Sequence, residues 1–583
     1  MMRTLHYLKT YFTLLFFLLN AALVLAQTQG TRPNIIVILA DDLGYADVGF
    51  NRDASFPADL GVIPTPNLDV LANNSVICKN AHVAHPFCGP SRVGLMTGIY
   101  PHRIGAQYNL PNDITTAFGP TTEETYFPEL LQNSGYNTAG FGKWHLGFTE
   151  GTFQPLDRGF DYYFGFLGGG KRYFESEYED NYYNGGGTLT NEYLDPLWRN
   201  RSYIDRNEFS NAEEEDYLTD VLTDDAITYM NANSPSSDPF FMYVSYNAPH
   251  TPLKAPAAER DQFLIDNPNF YNLVRNSDYM YNANQVSDAK MEQDARNDMG
   301  DAAFDALTPT EQEAAIVAAR EAKIEEFTQA RITYATMVTN MDANIGRLIT
   351  ALQADTAEFN NTLIIFLSDN GGYTYSKGAV NYPLDALKGS VNDGGHKVPM
   401  FVHWPNQISS ATTYNHQLSS LDLYPTLVNL AGETIPGSKT IDGVDFMDDL
   451  IAGANARPNE FVLAMRPYNG FHNGGLAMDQ WKVVKTGGNG AWRLYNILND
   501  PGETTDLRAT EPNAEAIIQS FNDQGVALVQ PFKDVKPEWY DNDDGGTGHP
   551  HSFLWNDGTL PAYDKLFEST LLEIEEDVET INI

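Results

Sequence analysis

Consecutive apolar residues, rather than alternating ones, mark the strands of this chain. Residues 34–40 read Asn-Ile-Ile-Val-Ile-Leu-Ala, and 240–246, 362–367 and 400–404 share that β-branched and aromatic texture. A strand apolar on both faces belongs at the centre of a sheet covered by helices on both sides. Between these runs, apolar positions recur at helical spacing. Thr65-Pro66 opens a helix through Leu68 and Leu71, and residues 126–134 form one that stops at Gly135. Thr308-Pro309 opens the longest, running to about residue 354 with Met337, Met341, Ile345 and Leu348 along one face. Such alternation predicts a large α/β domain in which helices sandwich a mostly parallel sheet.

Beyond about residue 452 the pattern shortens. Residues 461–465, 481–485 and 492–495 read as short strands between turns, and 514–523 as a helix, so a smaller C-terminal antiparallel sheet plus one helix is expected. The expected division is a leader at 1–26, the large domain at 27–452 and an α+β subdomain at 453–583. Two polar segments, 168–216 and 255–307, are rich in Asn, Tyr and Asp and resist assignment, being too long for simple connections; loops of that length are functional or disordered.

The first residues stand apart. Arg3, His6 and Lys9 precede an apolar run at 11–25 that exits on Ala26. That is the pattern of an export signal, too short for a bilayer-spanning helix. The mature protein is therefore expected in the periplasm or secreted, with no membrane insertion. With 77 acidic against 36 basic residues the net charge is −41. Such a field excludes general nucleic-acid binding and would repel a polyanion at long range unless salt screens it. The only two cysteines, Cys78 and Cys88, are ten residues apart. A bridge between them would add little to a chain this size, which leaves a chemical role open.

In an open α/β sheet the chemistry lies beyond the carboxyl ends of the strands. The residues that follow these strands are Asp41 and Asp42, Lys143 and His145, His250, and Asp369 and Asn370. Each is unremarkable alone, and either Asp pair or Asn could serve as a turn or cap. Together Asp41, Asp42, Asp369 and Asn370 form an oxygen-only set, which suits Ca²⁺, or less well Mg²⁺, and disfavours zinc. Pro90 places Cys88 at a helix N-terminus, where negative charge is favoured, and Arg92 returns to the same helical face one turn later. Lys143 and His145, two apart, would share one face of an extended segment and approach one anion together.

Several of these stretches also match one family in order. They are Cys88-x-Pro90-Ser91-Arg92 with Leu95-x-Thr97-Gly98, and Gly142-Lys143-Trp144-His145-Leu146-Gly147. Residues 34–44, Ala248-Pro249-His250-Thr251-Pro252 and Ser368-Asp369-Asn370-Gly371 match too, as does Lys388-Gly389 leading through Gly394-Gly395 to Val398-Pro399. The chain resembles the type I sulfatases of the alkaline phosphatase superfamily from Pro33 to about Leu507. The resemblance implies that a maturation enzyme oxidises Cys88 to formylglycine, hydrated to a geminal diol. It implies a Ca²⁺ ion held by Asp41, Asp42, Asp369, Asn370 and residue 88, with Arg92 stabilising the attacking oxygen. Lys143, Lys388 and His250 would clamp the sulfate. His250, or alternatively Lys388, would protonate the leaving oxygen, and His145 would take the proton that lets sulfate depart. Ala46 and the Asp385-Ala386-Leu387 stretch depart from the family's usual residues, which touches substrate contacts rather than the chemistry.

Export, acidity and the Tyr-rich inserts point to a sulfated polysaccharide, such as ulvan or carrageenan from a saline source. Lys171, Arg172, Tyr173, Arg199 and Arg201 would meet neighbouring sulfates or sugar faces, with Arg466 and His472 at the rim. Two readings remain beside this one: a phosphonate or phosphodiester hydrolase of the same superfamily, and an inactive relative that only binds polysaccharide.

Overall fold

The computed structural model describes residues 32–110, 119–174, 196–204, 217–233, 238–277, 280–281, 286–374, 378–466, 473–486, 491–529 and 531. The expected leader and His472 lie outside the described residues.

In chain order the strands are β1 (Asn34–Ala40), β2 (Val76–Cys78), β3 (Ala81–His82), β4 (Asn137–Lys143), β5 (Tyr162–Phe166), β6 (Trp198–Arg199), β7 (Ser202–Tyr203) and β8 (Phe240–Ser245). They continue with β9 (Thr362–Ser368), β10 (Met400–His403), β11 (Thr412–Tyr414), β12 (Leu418–Ser419), β13 (Val462–Arg466), β14 (Asn473–Met478), β15 (Trp481–Lys485) and β16 (Arg493–Asn496). The main sheet has ten strands in the order β11-β2-β10-β9-β1-β8-β4-β5-β6-β7. Its centre, β9-β1-β8-β4-β5, is parallel throughout. Antiparallel pairing appears only where β10 joins β9 and β2 on one side and where β6 and β7 extend β5 on the other.

The apolar runs are strands for the reason the pattern gives. On β1, Ile36, Ile38 and Ala40 enter one core with Met337, Met341, Ile345 and Leu348 of the helix Pro309–Leu352. Ile35, Val37 and Leu39 enter the other with Val93, Leu95 and Met96 of the helix Cys88–Thr97. Each such aliphatic side chain taken from water contributes about 2 kcal/mol. Register then sets the site. Ala40 lies opposite Ser368, Leu39 opposite Ser245, and Ser245 opposite Gly142, so β1, β9, β8 and β4 end level.

A four-stranded antiparallel sheet, β13-β14-β15-β16, follows, with the helix Ala514–Val529 packed on it through Ile518, Phe521 and Val529. The segment 255–307, which the sequence left without an assignment, contains helices Ala257–Asp266, Phe270–Arg275, Asp288–Met299 and Asp301–Asp305. The first three pack on the long helix and the fourth on the third, through few buried apolar side chains, Phe263, Phe270, Val274, Met291 and Phe304 among them, which is why no periodicity showed. Among the described residues no helix is long and apolar enough to cross a membrane.

Candidate active site

Level strand ends deliver their next residues to one place. Asp41 follows β1, Asp369 follows β9, Lys143 ends β4, and all three are buried. Asp42 takes a left-handed backbone (φ 65°), which short polar side chains tolerate, and this turns it toward Asn370. Asn370 Nδ2 donates to Asp42 Oδ1 at 2.7 Å, and the Asp42 amide donates to Asp369 Oδ1 at 3.3 Å. All four oxygen-bearing residues thus meet within one buried cluster.

Two ammonium groups flank it, Lys143 Nζ 2.7 Å from Asp41 Oδ2 and Lys388 Nζ 2.6 Å from Asp42 Oδ1, and the His250 imidazole approaches with Nε2 3.7 Å from Asp42 Oδ2. Arg92 is fully buried and grips Asp369 Oδ2 through Nε (3.0 Å) and Nη2 (2.9 Å), while Nη1 donates to the Lys143 carbonyl and to Ser245 Oγ. Arg92 therefore fixes a carboxylate of the cluster as well as standing beside Cys88, a double role the helical spacing alone did not suggest. Cys88 is the first residue of the helix Cys88–Thr97 and is buried with a free thiol. Asn109 Oδ1 accepts from the Gly89 amide at 3.0 Å and lies 3.9 Å from Cys88 Sγ. Ser245 and Asn109 carried no signal in the sequence, although Ser245 does end a strand.

The electrostatics mark a site that calls for a cation. Burial, then the Asp369 charge, push the Asp41 carboxyl up to about 7 despite Lys143. Burial would raise Asp42 too, but Lys388 and His250 outweigh it and hold it at about 2. Asp41 Oδ1 and Asn370 Oδ1 are buried with no hydrogen-bond partner. Two orphaned hard oxygens in one acidic cluster fit a Ca²⁺-like ion, whose charge would also relieve the carboxylate crowding. Asp41, Asp42 and His250 also come close enough together to share an ion.

One expectation fails in detail. Lys143 and His145 do not sit on an extended segment, because β4 ends at Lys143 and His145 is left-handed (φ 62°). The His145 ring is instead held between two glycines. A Cβ on Gly169 would approach Nε2 to 2.8 Å, and one on Gly89 would approach Cε1 to 3.5 Å. Burial, with Lys143 and Arg92 nearby, pushes its pKa well below the ordinary value, and Nδ1 is unpartnered. Burial likewise lowers His250 to about 3 against the pull of Asp42, with Lys388 and Lys143 adding to the lowering.

The inserts contribute differently from expectation. Tyr173 is fully buried, its hydroxyl shared between the carbonyls of Asn247 (2.9 Å) and His250 (2.8 Å), so it braces the His250 loop instead of stacking on sugar. Lys171 is buried, and Arg172 is half-buried. Arg199 pairs with Asp225 and Arg201 with Asp157 on the β6–β7 edge. Arg466 ends β13.

Comparison with known proteins agrees with this geometry. The family model described as Sulfatase matches residues 33–433, and one described as N-sulphoglucosamine sulphohydrolase, C-terminal, matches 388–530. Arylsulfatase J of Mus musculus is 27% identical over 563 residues, covering 88% of this chain and 79% of its own length. An uncharacterized sulfatase of Escherichia coli (strain K12), YdeN, is 26% identical over 484 residues, covering 76% and 70%. The solved structure of Ps i-CgsB in complex with k-i-k-neocarrahexaose superposes with a TM-score of 0.71 at 34% identity, over 92% of this chain and all of that one.

Proposed function

The chain belongs to the sulfatase family and hydrolyses sulfate esters, and from that premise we propose an exported enzyme acting on sulfated algal polysaccharide, carrageenan-like before ulvan-like. The substrate class rests on the likeness to a structure holding a carrageenan oligosaccharide. The observation that carries the chemistry is the pair of orphaned oxygens, Asp41 Oδ1 and Asn370 Oδ1, facing an acidic cluster beside Cys88.

In this reading Cys88 is matured to formylglycine, and residue 88 would then offer a hydrated aldehyde whose hydroxyl is the nucleophile toward sulfur. Asp41, Asp42, Asp369 and Asn370 hold a Ca²⁺ ion, which supplies positive charge against the reacting oxygens. The remaining roles belong to side chains. Arg92, immobilised by Asp369, Ser245 and the Lys143 carbonyl, presents a fixed charge at residue 88. Lys143 and Lys388 neutralise the sulfate oxygens where charge builds. His250 donates Nδ1–H to the Thr251 carbonyl, which leaves Nε2 facing the site. Nε2, 3.7 Å from Asp42, is placed to pass a proton to the leaving oxygen, whereas Lys388, paired with Asp42 at 2.6 Å, holds its proton too firmly to be the acid. His145, kept neutral by burial and its cationic neighbours, accepts the later proton at Nδ1.

The test is mass spectrometry of the residue-88 peptide from protein made in its native host, paired with initial rates on matched sulfate, phosphate and phosphonate esters. An aldehyde at residue 88 with sulfate turned over fastest is the expected result. An intact thiol in active protein would sink the mechanism, and faster phosphoryl turnover would transfer the chain to the phosphonate or phosphodiester hydrolases.

A further inference from the structure

The four-stranded C-terminal sheet turns one face onto the loop that carries Lys388. Val391 of that loop packs with Ala464, Ala477, Val484, Tyr495 and Ile497. In the middle of this apolar face stands a lysine. Lys482 on β15 is fully buried, its Nζ donating to Asp393 Oδ1 at 2.5 Å and lying 3.1 Å from Glu503 Oε1 and 3.4 Å from His396 Nε2. Glu503 completes the link by accepting from the Asp393 amide at 2.7 Å. His82, Asp393 and His396 come close enough together to ligate a metal, but the Lys482 ammonium already occupies their acidic side. The cation of this pocket is the protein's own.

A buried ammonium is costly to maintain, and apolar replacement of a whole buried ion pair is often neutral or stabilising. Stability alone therefore does not account for Lys482. What the pair does is hold a loop. Within residues 385–397, Gly394 N donates to the Asp385 carbonyl (2.7 Å), and Asn392 Nδ2 to the Asp385 carboxylate (2.7 Å). The same loop is clasped to both halves of the site. Gly371 N donates to the Gly395 carbonyl (3.0 Å), Lys388 N to the Gly372 carbonyl (3.2 Å), and Gly389 N to the Pro86 carbonyl (2.8 Å). Asn370 and Cys88 are one and two residues from those contacts.

We propose that Lys482, through its buried pair with Asp393, is a positioning residue that sets Lys388 against the substrate's sulfate, making the C-terminal sheet part of the sulfate-binding apparatus. This rests on the assignment of Lys388 to the sulfate. A displaced Lys388 weakens every sulfate complex, substrate or product, while the pH profile set by the histidines stays in place.

The experiment uses the full-length matured enzyme, 4-nitrophenyl sulfate as substrate and inorganic sulfate as competitive inhibitor. Lys388→Met is expected to raise KM and the sulfate inhibition constant about tenfold or more. Lys482→Met is expected to raise both together by a similar factor, with an unchanged pH profile. Because it leaves Asp393 with only the more distant Lys397 ammonium at 3.8 Å, the charge-neutral double variant Lys482→Met/Asp393→Asn is measured beside it. A double variant that melts near the wild type yet keeps the weakened sulfate affinity supports positioning. Wild-type sulfate affinity in the double variant overturns the proposal. Should neither variant accumulate, Glu503→Gln, which keeps an acceptor for the Asp393 amide, must still weaken sulfate inhibition or the proposal falls. If Lys388→Met leaves sulfate affinity unchanged, the role given to Lys388 is wrong, and that failure is separate.

Discussion

At the scale of single residues, the site depends on charges that cannot be removed one at a time. Asp369 both faces the proposed cation and neutralises Arg92, whose other acidic neighbour, Asp41, is 4.0 Å away. Asp369→Ala strands a fully buried guanidinium, which costs about 3–5 kcal/mol of stability. Turnover should fall by at least about a thousandfold, since the same carboxylate orders the transition-state charges. Thermal melting with and without a Ca²⁺ chelator separates the two effects. The wild type should lose melting temperature on chelation and the variant should show no further loss; equal chelator shifts in both would show that Asp369 does not hold the ion. Asp41, Asp42, Asp369 and Asn370 could be placed together in advance because they follow strands, and strand ends are readable from apolar runs, whereas Cys88, Arg92 and Lys388 stood out only through their motifs. Lys482 and Glu503 were not legible, because a charged residue in a short strand or turn reads as solvent-facing until an apolar face is seen to close over it.

At the scale of elements, the strand ends matter more than the loops beyond them. Gly142 adopts φ 91°, and a Cβ there would fall 1.9 Å from the Ser245 carbonyl oxygen on the neighbouring strand β8. Only glycine permits β4 to turn at that point and present Lys143 beside Asp41. Gly142→Ala should cost about 3 kcal/mol or more through left-handed strain and overpacking together. It should lower kcat/KM even in the fraction that folds, because Lys143 is the next residue. Denaturant midpoints and initial rates check this, and a variant with both unchanged would remove Gly142 from the account. The central strands could be read in advance because burial on both faces leaves no polar position to confuse the pattern. The helices between 257 and 305 could not, since Asp288–Met299 buries only Met291 and Ala295 and presents a polar surface elsewhere. Tyr173 shows the same limit in reverse, a tyrosine from a polar, Gly-rich stretch that ends fully buried as a brace for His250.

At the scale of the whole molecule, a net charge of −41 confronts the proposed substrate, itself a polyanion. The two are reconciled by distance. Repulsion arises from acidic groups spread over the surface and acts through solvent, where the screening length falls from about 8 Å at 0.15 M salt to about 3 Å at 1 M. In the proposed site the attraction would come from Arg92 and Lys143, whose side chains are wholly buried, and Lys388, which is one-tenth exposed, so it would act at contact and be screened far less. Added salt therefore removes the barrier to approach before it weakens the grip. For a sulfated oligosaccharide, kcat/KM should rise with NaCl to a maximum at several tenths molar and decline beyond it as exposed rim contacts weaken. A monosulfated aryl ester carries one charge and should show a much shallower rise, which makes it the internal control. Initial rates on both substrates over a salt series decide the matter. A rate on the oligosaccharide that only falls as salt is added would mean that an exposed basic surface, rather than the buried cations, recruits the substrate.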